Sequence, residues 1–308
     1  MAAPSPTTLR EGQTFAGVSR WIRYINFVKL PHTVFALPFA LVGAILASYR
    51  HAVTTSRVAW IVVAFTAARF AAMGFNRVVD RDIDAWNPRT AMREIPAGAL
   101  GVREASLAVA FASGLFVLAA WRLNPLCAAL SPIALGWVLL YSYTKRFTRL
   151  AHFVLGLGLG IAPVGGYLAI GGQWSEPWWL LVVLALAVMT WVSGFDILYA
   201  LQDIEFDRAQ GLYSLPAALG VRRAIDVARV LHVVTVVALL LAGTVSPVGT
   251  LYWIGATAVG GLLLYEHRLV RATDLSRLDA AFFTMNGIIS LTFFAFVLVE
   301  RVLRGSAT

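Results

Sequence analysis

A single cysteine, Cys127, stands inside an apolar run with no second cysteine to meet, which excludes a disulfide framework and a cysteine metal site. Alone there, it reads as a small buried hydrophobe. Charge is scarce: 13% of the 308 residues are Asp, Glu, Lys or Arg, against 59% hydrophobic residues. At a mean hydropathy of +0.75 the chain cannot bury its apolar side chains in one soluble core and still cover itself with polar ones, so its solvent is lipid. The short alternating segments of a membrane barrel are missing too; the apolar runs are continuous and rich in Ala, Leu and Val, so the fold class is all-α. Residues 1–20 lack the apolar stretch and small-residue cleavage site of a secretory signal, and with Pro4 and Pro6 they are expected to form a short disordered tail.

What is present is a series of stretches long enough to cross about 30 Å of hydrocarbon. They fall near 26–48, 58–79, 104–121, 125–143, 151–171, 178–202, 225–244, 247–266 and 279–300, which predicts nine transmembrane helices in a bundle. One transmembrane domain then covers 21–308, with a first half at about 21–145, a second at about 146–266 and a last helix at about 279–302. Basic residues orient it. One side carries Arg10, Arg20, Arg23, Lys29, Arg81, Arg89, Arg93, Arg103, Lys145, Arg146, Arg149, Arg208, Arg222, Arg223, Arg268, Arg271 and Arg277, whereas the other carries Arg50, Arg57, Arg122, Arg301 and Arg304. By the positive-inside rule the first side is cytoplasmic, which puts the N-terminus inside and the C-terminus outside. The net charge of +9 is then a topology signal and an attraction to anionic lipid, with no need of nucleic acid.

Two cytoplasmic connections resemble each other. The first runs Gly74-Phe75-Asn76, Asp80, Asp84, Ile95-Pro96 and Ala99-Leu100-Gly101-Val102-Arg103; the second runs Gly194-Phe195-Asp196, Asp203, Asp207, Leu215-Pro216 and Ala218-Leu219-Gly220-Val221-Arg222. Matching order and near-matching spacing point to a duplicated helix unit. Asn76, Asp80 and Asp84 lie four apart, and Asp196, Tyr199, Asp203 and Asp207 follow in steps of three and four, so on a continuing helix each set stacks on one face. Stacked carboxylates repel, by a few tenths of about a kcal/mol in water and by more near a membrane. A divalent cation offsets that cost. An oxygen-only donor set with no histidine nearby in the sequence favours Mg²⁺, which bridges one or two carboxylates to substrate phosphates. The blander alternative is that acidic residues such as Asp82 and Glu205, which fall off the ladders, solvate the cytoplasmic mouth.

Cations complete the set. Arg69 lies inside an apolar span about two turns before Asn76, where an arginine is expensive unless it faces a cavity or an anion. Arg89 and Arg93 follow the first ladder, and Lys145 and Arg146 open another cytoplasmic loop after Tyr141-Ser142-Tyr143-Thr144. Together they read as a diphosphate cradle.

These residues resemble the UbiA family of aromatic prenyltransferases, whose members carry N-D-x-x-D-x-x-x-D in one loop and D-x-x-Y-A-x-x-D-x-x-x-D in another. The second pattern is complete here as Asp196, Tyr199, Ala200, Asp203 and Asp207; the first is present as Asn76, Asp80 and Asp84, followed by Arg89-Thr90, Arg93 and Pro96-Ala97-Gly98. Lys145 matches the lysine of a Tyr-x-x-x-Lys element. Arg77 stands where the family has its second aspartate, and Tyr213 replaces a lysine often found after the second motif.

The resemblance implies transfer of a polyprenyl group from its diphosphate to an aromatic acid. The acceptor is 4-hydroxybenzoate in ubiquinone synthesis, or alternatively a dihydroxynaphthoate in menaquinone synthesis. It implies Mg²⁺ at Asp80, Asp84, Asp203 and Asp207, diphosphate contacts from Asn76, Arg89, Arg93, Lys145 and Arg146, and catalytic roles for Asp196, Tyr199 and Arg69. Its setting would be a bacterial inner membrane, with the lipid bilayer as partner and no obligate protein partner. A transporter is the rival from another class, since charged helix ends and repeats also build substrate pathways.

Overall fold

The computed structural model describes residues 19–270, 275, 278 and 284–305. Residues 1–18 of the predicted tail, Arg271, Arg277 and the start of the last predicted span at 279–283 lie outside them. Every regular element among the described residues is helical. A short α1 (Arg20–Phe27) leads into the long helices α2 (Leu30–Ser48) and α3 (Thr55–Val79); a short α4 (Arg81–Trp86) precedes α5 (Val102–Leu123), α6 (Pro125–Thr144), α7 (Ala151–Gly171) and α8 (Trp179–Tyr199). After a 3₁₀ turn at Ala200–Asp203 come α9 (Ile204–Ala209), α10 (Leu215–Leu219), α11 (Val221–Val245), α12 (Thr250–Leu269) and α13 (Asn286–Gly305).

Seven helices among the described residues are long and apolar enough to cross a membrane: α3, α5, α6, α7, α8 with its 3₁₀ and α9 continuation, α11 and α13. Two more predicted spans are helical but less clear-cut: α2 contributes a shorter apolar stretch at Ala36–Ser48, and α12 ends on Glu266, His267 and Arg268. Helix starts follow local chemistry. The Thr54 and Asn124 side chains accept the amides of Arg57 and Cys127, and Pro125 takes the first-turn position where no amide is missed.

Backbones touch where glycines permit it. A Cβ on Gly166 would fall onto the Ala40 carbonyl oxygen and one on Gly43 onto that of Pro163, so α2 and α7 meet backbone to backbone. Gly156 and Gly160 face the Met189 and Ala185 carbonyls in the same way, bringing α7 against α8. The main core, including Phe39, Leu181, Trp191, Leu239, Tyr252 and Phe293, fills the space among α2, α8, α11, α12 and α13. Across its far end, the buried Glu300 accepts amide hydrogens from Gly249 and Tyr252 and the Tyr49 hydroxyl, tying α13 to α12 and α2.

Both acidic connections share one plan. Each leaves a long helix, passes through a short helix that carries the outer aspartate, and re-enters through another long helix: α3, α4 and α5 in the first, α8, α9 and α11 in the second. Neither ladder lies on an uninterrupted α-helix. Asp80 forms the joint between α3 and α4, and a 3₁₀ turn separates Tyr199 from Ile204. The stacking survives because helical hydrogen bonds continue through the first joint, from Asp80 N–H to Asn76 C=O at 2.9 Å and from Asp84 N–H to Asp80 C=O at 2.7 Å.

Candidate active site

A cavity of about 390 Å³ runs down the bundle between α3, α5, α6, α7 and α8. Its mouth is lined by Lys29, Asn76, Arg77, Arg93, Asp196 and Tyr199, and its body by apolar residues from Phe65 and Phe116 to Leu123, Cys127 and Leu168. From Arg77 to Ile61, both lining, α3 rises about 24 Å at 1.5 Å per residue, so the cavity reaches most of the way across the bundle.

The two acidic connections meet over this mouth. Arg89, on the first, donates to both oxygens of Asp203, on the second, at 3.0 and 2.6 Å, and also to the Tyr199 hydroxyl at 3.1 Å. Its guanidinium carbon stands 5.2 Å from the Tyr199 ring centroid. Asn87 adds a longer hydrogen bond to Asp203 at 3.3 Å. Arg93 pairs with Asp84 at 2.6 Å, and Arg146, from the α6–α7 loop, pairs with Asp80 at 3.0 Å while Asn76 donates to the same carboxylate at 2.7 Å. Asp80, Asp84 and Asp203 are thus each held by an arginine. Arg81 pairs only with the exposed Asp82, as expected for a solvated rim.

Asp203 receives two hydrogen bonds from Arg89 and one from Asn87, with Lys145 close enough to act on its charge. At Asp80, burial comes first and, with Asp84 nearby, prevails over Arg146 and Lys145, so that carboxyl is pushed up. Lys145 therefore acts on both connections, and its carbonyl accepts the Tyr213 N–H at 2.7 Å, which anchors the second loop at the position where the resemblance would have placed a lysine.

The residues present fit a divalent cation. One oxygen of Asp84 and one of Asp207 are buried without a hydrogen-bond partner, which leaves lone pairs available to a cation. Among the described residues no three His, Cys, Asp or Glu side chains gather as a preformed metal cluster. Arg77 is buried and lines the mouth, with one terminal nitrogen lacking a partner, so the departure from the motif exchanges a carboxylate for a further cation facing the cavity.

Asp196 and Tyr199, the inner rungs of the second ladder, and Arg69 line the cavity wall. Arg69 sits about 10 Å above Asn76 along α3, and its Nε is buried with no hydrogen-bond partner. Tyr141 of α6 lines the same cavity. Two groups escaped the sequence reading as site residues. Lys29, read there as a topology charge, lies at the break between α1 and α2 on the cavity wall; burial first, then Arg77, Arg93 and Arg89, lower its pKa from 10.5 to about 7. His152 of α7 is fully buried and its Nδ1 lies 2.6 Å from an Asp196 oxygen. The motif around Asn76 gave no hint of either, since Lys29 precedes it by 47 positions and His152 follows it by 76.

Known proteins share sequence and fold with this chain. The chain is 30% identical over 234 residues to the 4-hydroxybenzoate octaprenyltransferase of Nitrosospira multiformis, covering 75% of this chain and 78% of that one. It is 31% identical over 232 residues to the enzyme of the same name from Aromatoleum aromaticum, covering 75% and 77%. Among solved structures, the apo UbiA homologue of Aeropyrum pernix K1 superposes with a TM-score of 0.80 at 32% identity, covering 87% of this chain and 98% of that one. A UbiA homologue of Archaeoglobus fulgidus bound to GPP and Mg²⁺ shares the fold, at a TM-score of 0.69 and 20% identity over 91% of this chain and 99% of that one. Residues 36–288 match the model of the UbiA prenyltransferase family, and with the two aspartate connections closing over one membrane cavity, the chain belongs to that family.

Proposed function

We propose that this protein is a Mg²⁺-dependent integral membrane prenyltransferase that moves a polyprenyl group from its diphosphate to an aromatic acid, with 4-hydroxybenzoate as acceptor in ubiquinone synthesis. The observation that carries this reading is the contact of Arg89 with Asp203 above an apolar cavity: it brings both acidic connections to one cationic mouth, within reach of one headgroup. The names of the curated relatives supply the acceptor, and their share of sequence with this chain supports it.

In this reading Asp80 and Asp84 hold one ion and Asp203 and Asp207 a second, with the partnerless oxygens of Asp84 and Asp207 offered first. Bound there, the cations neutralise the charge of a departing diphosphate. Arg89, Arg93, Lys145 and Arg146, with Asn76, serve the headgroup, so the direct arginine pairs with Asp203, Asp84 and Asp80 loosen as phosphate oxygens take their place. Arg77 and Lys29 add positive charge at the inner edge of the mouth. The prenyl chain lies in the apolar body, which keeps water from the allylic carbon. Arg69, charged and with an orphaned nitrogen deeper in the wall, meets the carboxylate of the aromatic acid; Tyr199 and Asp196 face its ring. Nine spans with a cytoplasmic N-terminus, the arrangement the basic loops favour, place the mouth at the inner leaflet of a bacterial plasma membrane.

The test is turnover in lipid nanodiscs with a polyprenyl diphosphate, labelled 4-hydroxybenzoate and a Mg²⁺ titration. Asp84→Asn and Asp207→Asn are expected to lower turnover by about a hundredfold or more while the protein stays monodisperse. Normal Mg²⁺ dependence in both variants removes the metal assignment, and no product from the unmodified protein removes the acceptor.

A further inference from the structure

His152 belongs to neither acidic connection, yet its pairing with Asp196 is among the shortest polar contacts at the site. His152 is wholly buried on α7, and its Nδ1 stands 2.6 Å from Asp196 Oδ2 on α8. Its other ring nitrogen, Nε2, is buried with no partner. With only Nδ1 engaged and a carboxylate opposite, the arrangement is satisfied by an Nδ1–H donor, which leaves Nε2 as a bare lone pair. Around it α7 is packed against α8: Ser193, one turn before the level of Asp196, offers its hydroxyl to the Met189 carbonyl at 2.7 Å and to the His152 carbonyl at 3.1 Å, and Gly156, one turn along α7, allows the α8 backbone to press close.

Asp196 itself lines the cavity, and its side chain stays about one-fifth exposed there, so one carboxylate is gripped from behind while opening onto the space where the ring must lie. We propose that His152 is a positioning residue that aims Asp196 as the acceptor of the proton lost from the aromatic ring. The inference rests on the prenyl transfer proposed above. In that reaction the allylic C–O bond breaks and its electron pair leaves with the diphosphate. The ring carbon ortho to the hydroxyl supplies the pair for the new C–C bond, and the C–H pair returns to the ring as its proton passes to the Asp196 carboxylate. One proton is released per diphosphate formed. A carboxylate free to rotate would serve this badly, since proton transfer depends on hydrogen-bond reach. His152 removes that rotation without touching substrate.

Two polar substitutions separate this from a packing role. The amide nitrogen of Asn at 152 falls near the place of Nδ1, whereas that of Gln falls near Nε2. His152→Asn is expected to keep most of kcat, and His152→Gln to lose about ten- to a hundredfold in kcat with KM for the prenyl diphosphate unchanged. With acceptor deuterated at both ring positions ortho to the hydroxyl, H152Q should also show a larger kinetic isotope effect than the unmodified enzyme, because ring-proton loss has become slow. Equal loss in both variants, or an isotope effect in H152Q no larger than that of the unmodified enzyme, overturns the proposal. Failure of the unmodified enzyme to prenylate 4-hydroxybenzoate would instead overturn the reading it rests on.

Discussion

At the scale of single residues, the site is a balance between cations and carboxylates sharing a partly buried mouth. Arg89 and Asp203 show how this is held: two donors meet two acceptors, and the geometry suits guanidinium and not ammonium. Lys29 shows what it costs. Buried, and placed among Arg77, Arg93 and Arg89, it has its pKa lowered to about 7. The sign of the consequence follows from proton counts: between pH 7 and the usual lysine value of 10.5 the unfolded chain holds a proton at this position that the folded chain lacks. The cost of burying the charged amine is therefore present below pH 7 and is relieved as pH rises through that window. An arriving diphosphate reverses the repulsion and raises the pKa again. Binding of a prenyl diphosphate at pH 8 is accordingly expected to take up protons, measured by calorimetry in buffers of different ionisation enthalpy, and K29M should remove the part of the uptake due to this amine. Uptake unchanged in K29M would show that the lysine does not meet the headgroup.

At the scale of elements, the cavity exists because some helices approach to backbone contact and others do not. Gly43 and Gly166 let α2 and α7 touch, and Gly156 and Gly160 do the same for α7 and α8, which fixes α7 as the wall that carries His152. Gly136, on α6, has no neighbouring atom within 4 Å of the place a Cβ would take. G166A should therefore lower stability by about 1–3 kcal/mol, the usual range for overpacking. G136A should leave it unchanged or slightly raised. Thermal unfolding in detergent, read by helical circular dichroism, compares the pair directly; equal midpoints would mean that α2 and α7 are not locked at this contact.

At the scale of the whole molecule, polarity is graded along one axis, from the charged mouth to the apolar far end at Leu123, Cys127 and Leu168. A long chain entering at the mouth has to run that length or bend out between helices. Cys127→Phe fills the far end without approaching the ladders. It is expected to depress turnover of long polyprenyl diphosphates while leaving a five-carbon donor nearly untouched, as read by product analysis over a series of chain lengths. An equal effect on every donor would place the chain elsewhere.

The sequence by itself determined what depends on composition and on short-range spacing. Scarce charge and long apolar runs required helices in lipid, the recurrence at three and four residues put Asn76, Asp80 and Asp84 side by side, and the second motif set Asp203 and Asp207 in the same relation. Such patterns are legible because a helix converts nearby positions into neighbours whatever surrounds it. The tertiary structure alone decided which distant groups meet. Arg89 finds Asp203 across 114 positions, His152 finds Asp196 across 44, and Lys29 comes to rest among arginines of another segment. No local period encodes those meetings; they follow from the packing of helices far apart in the chain, which glycines let close.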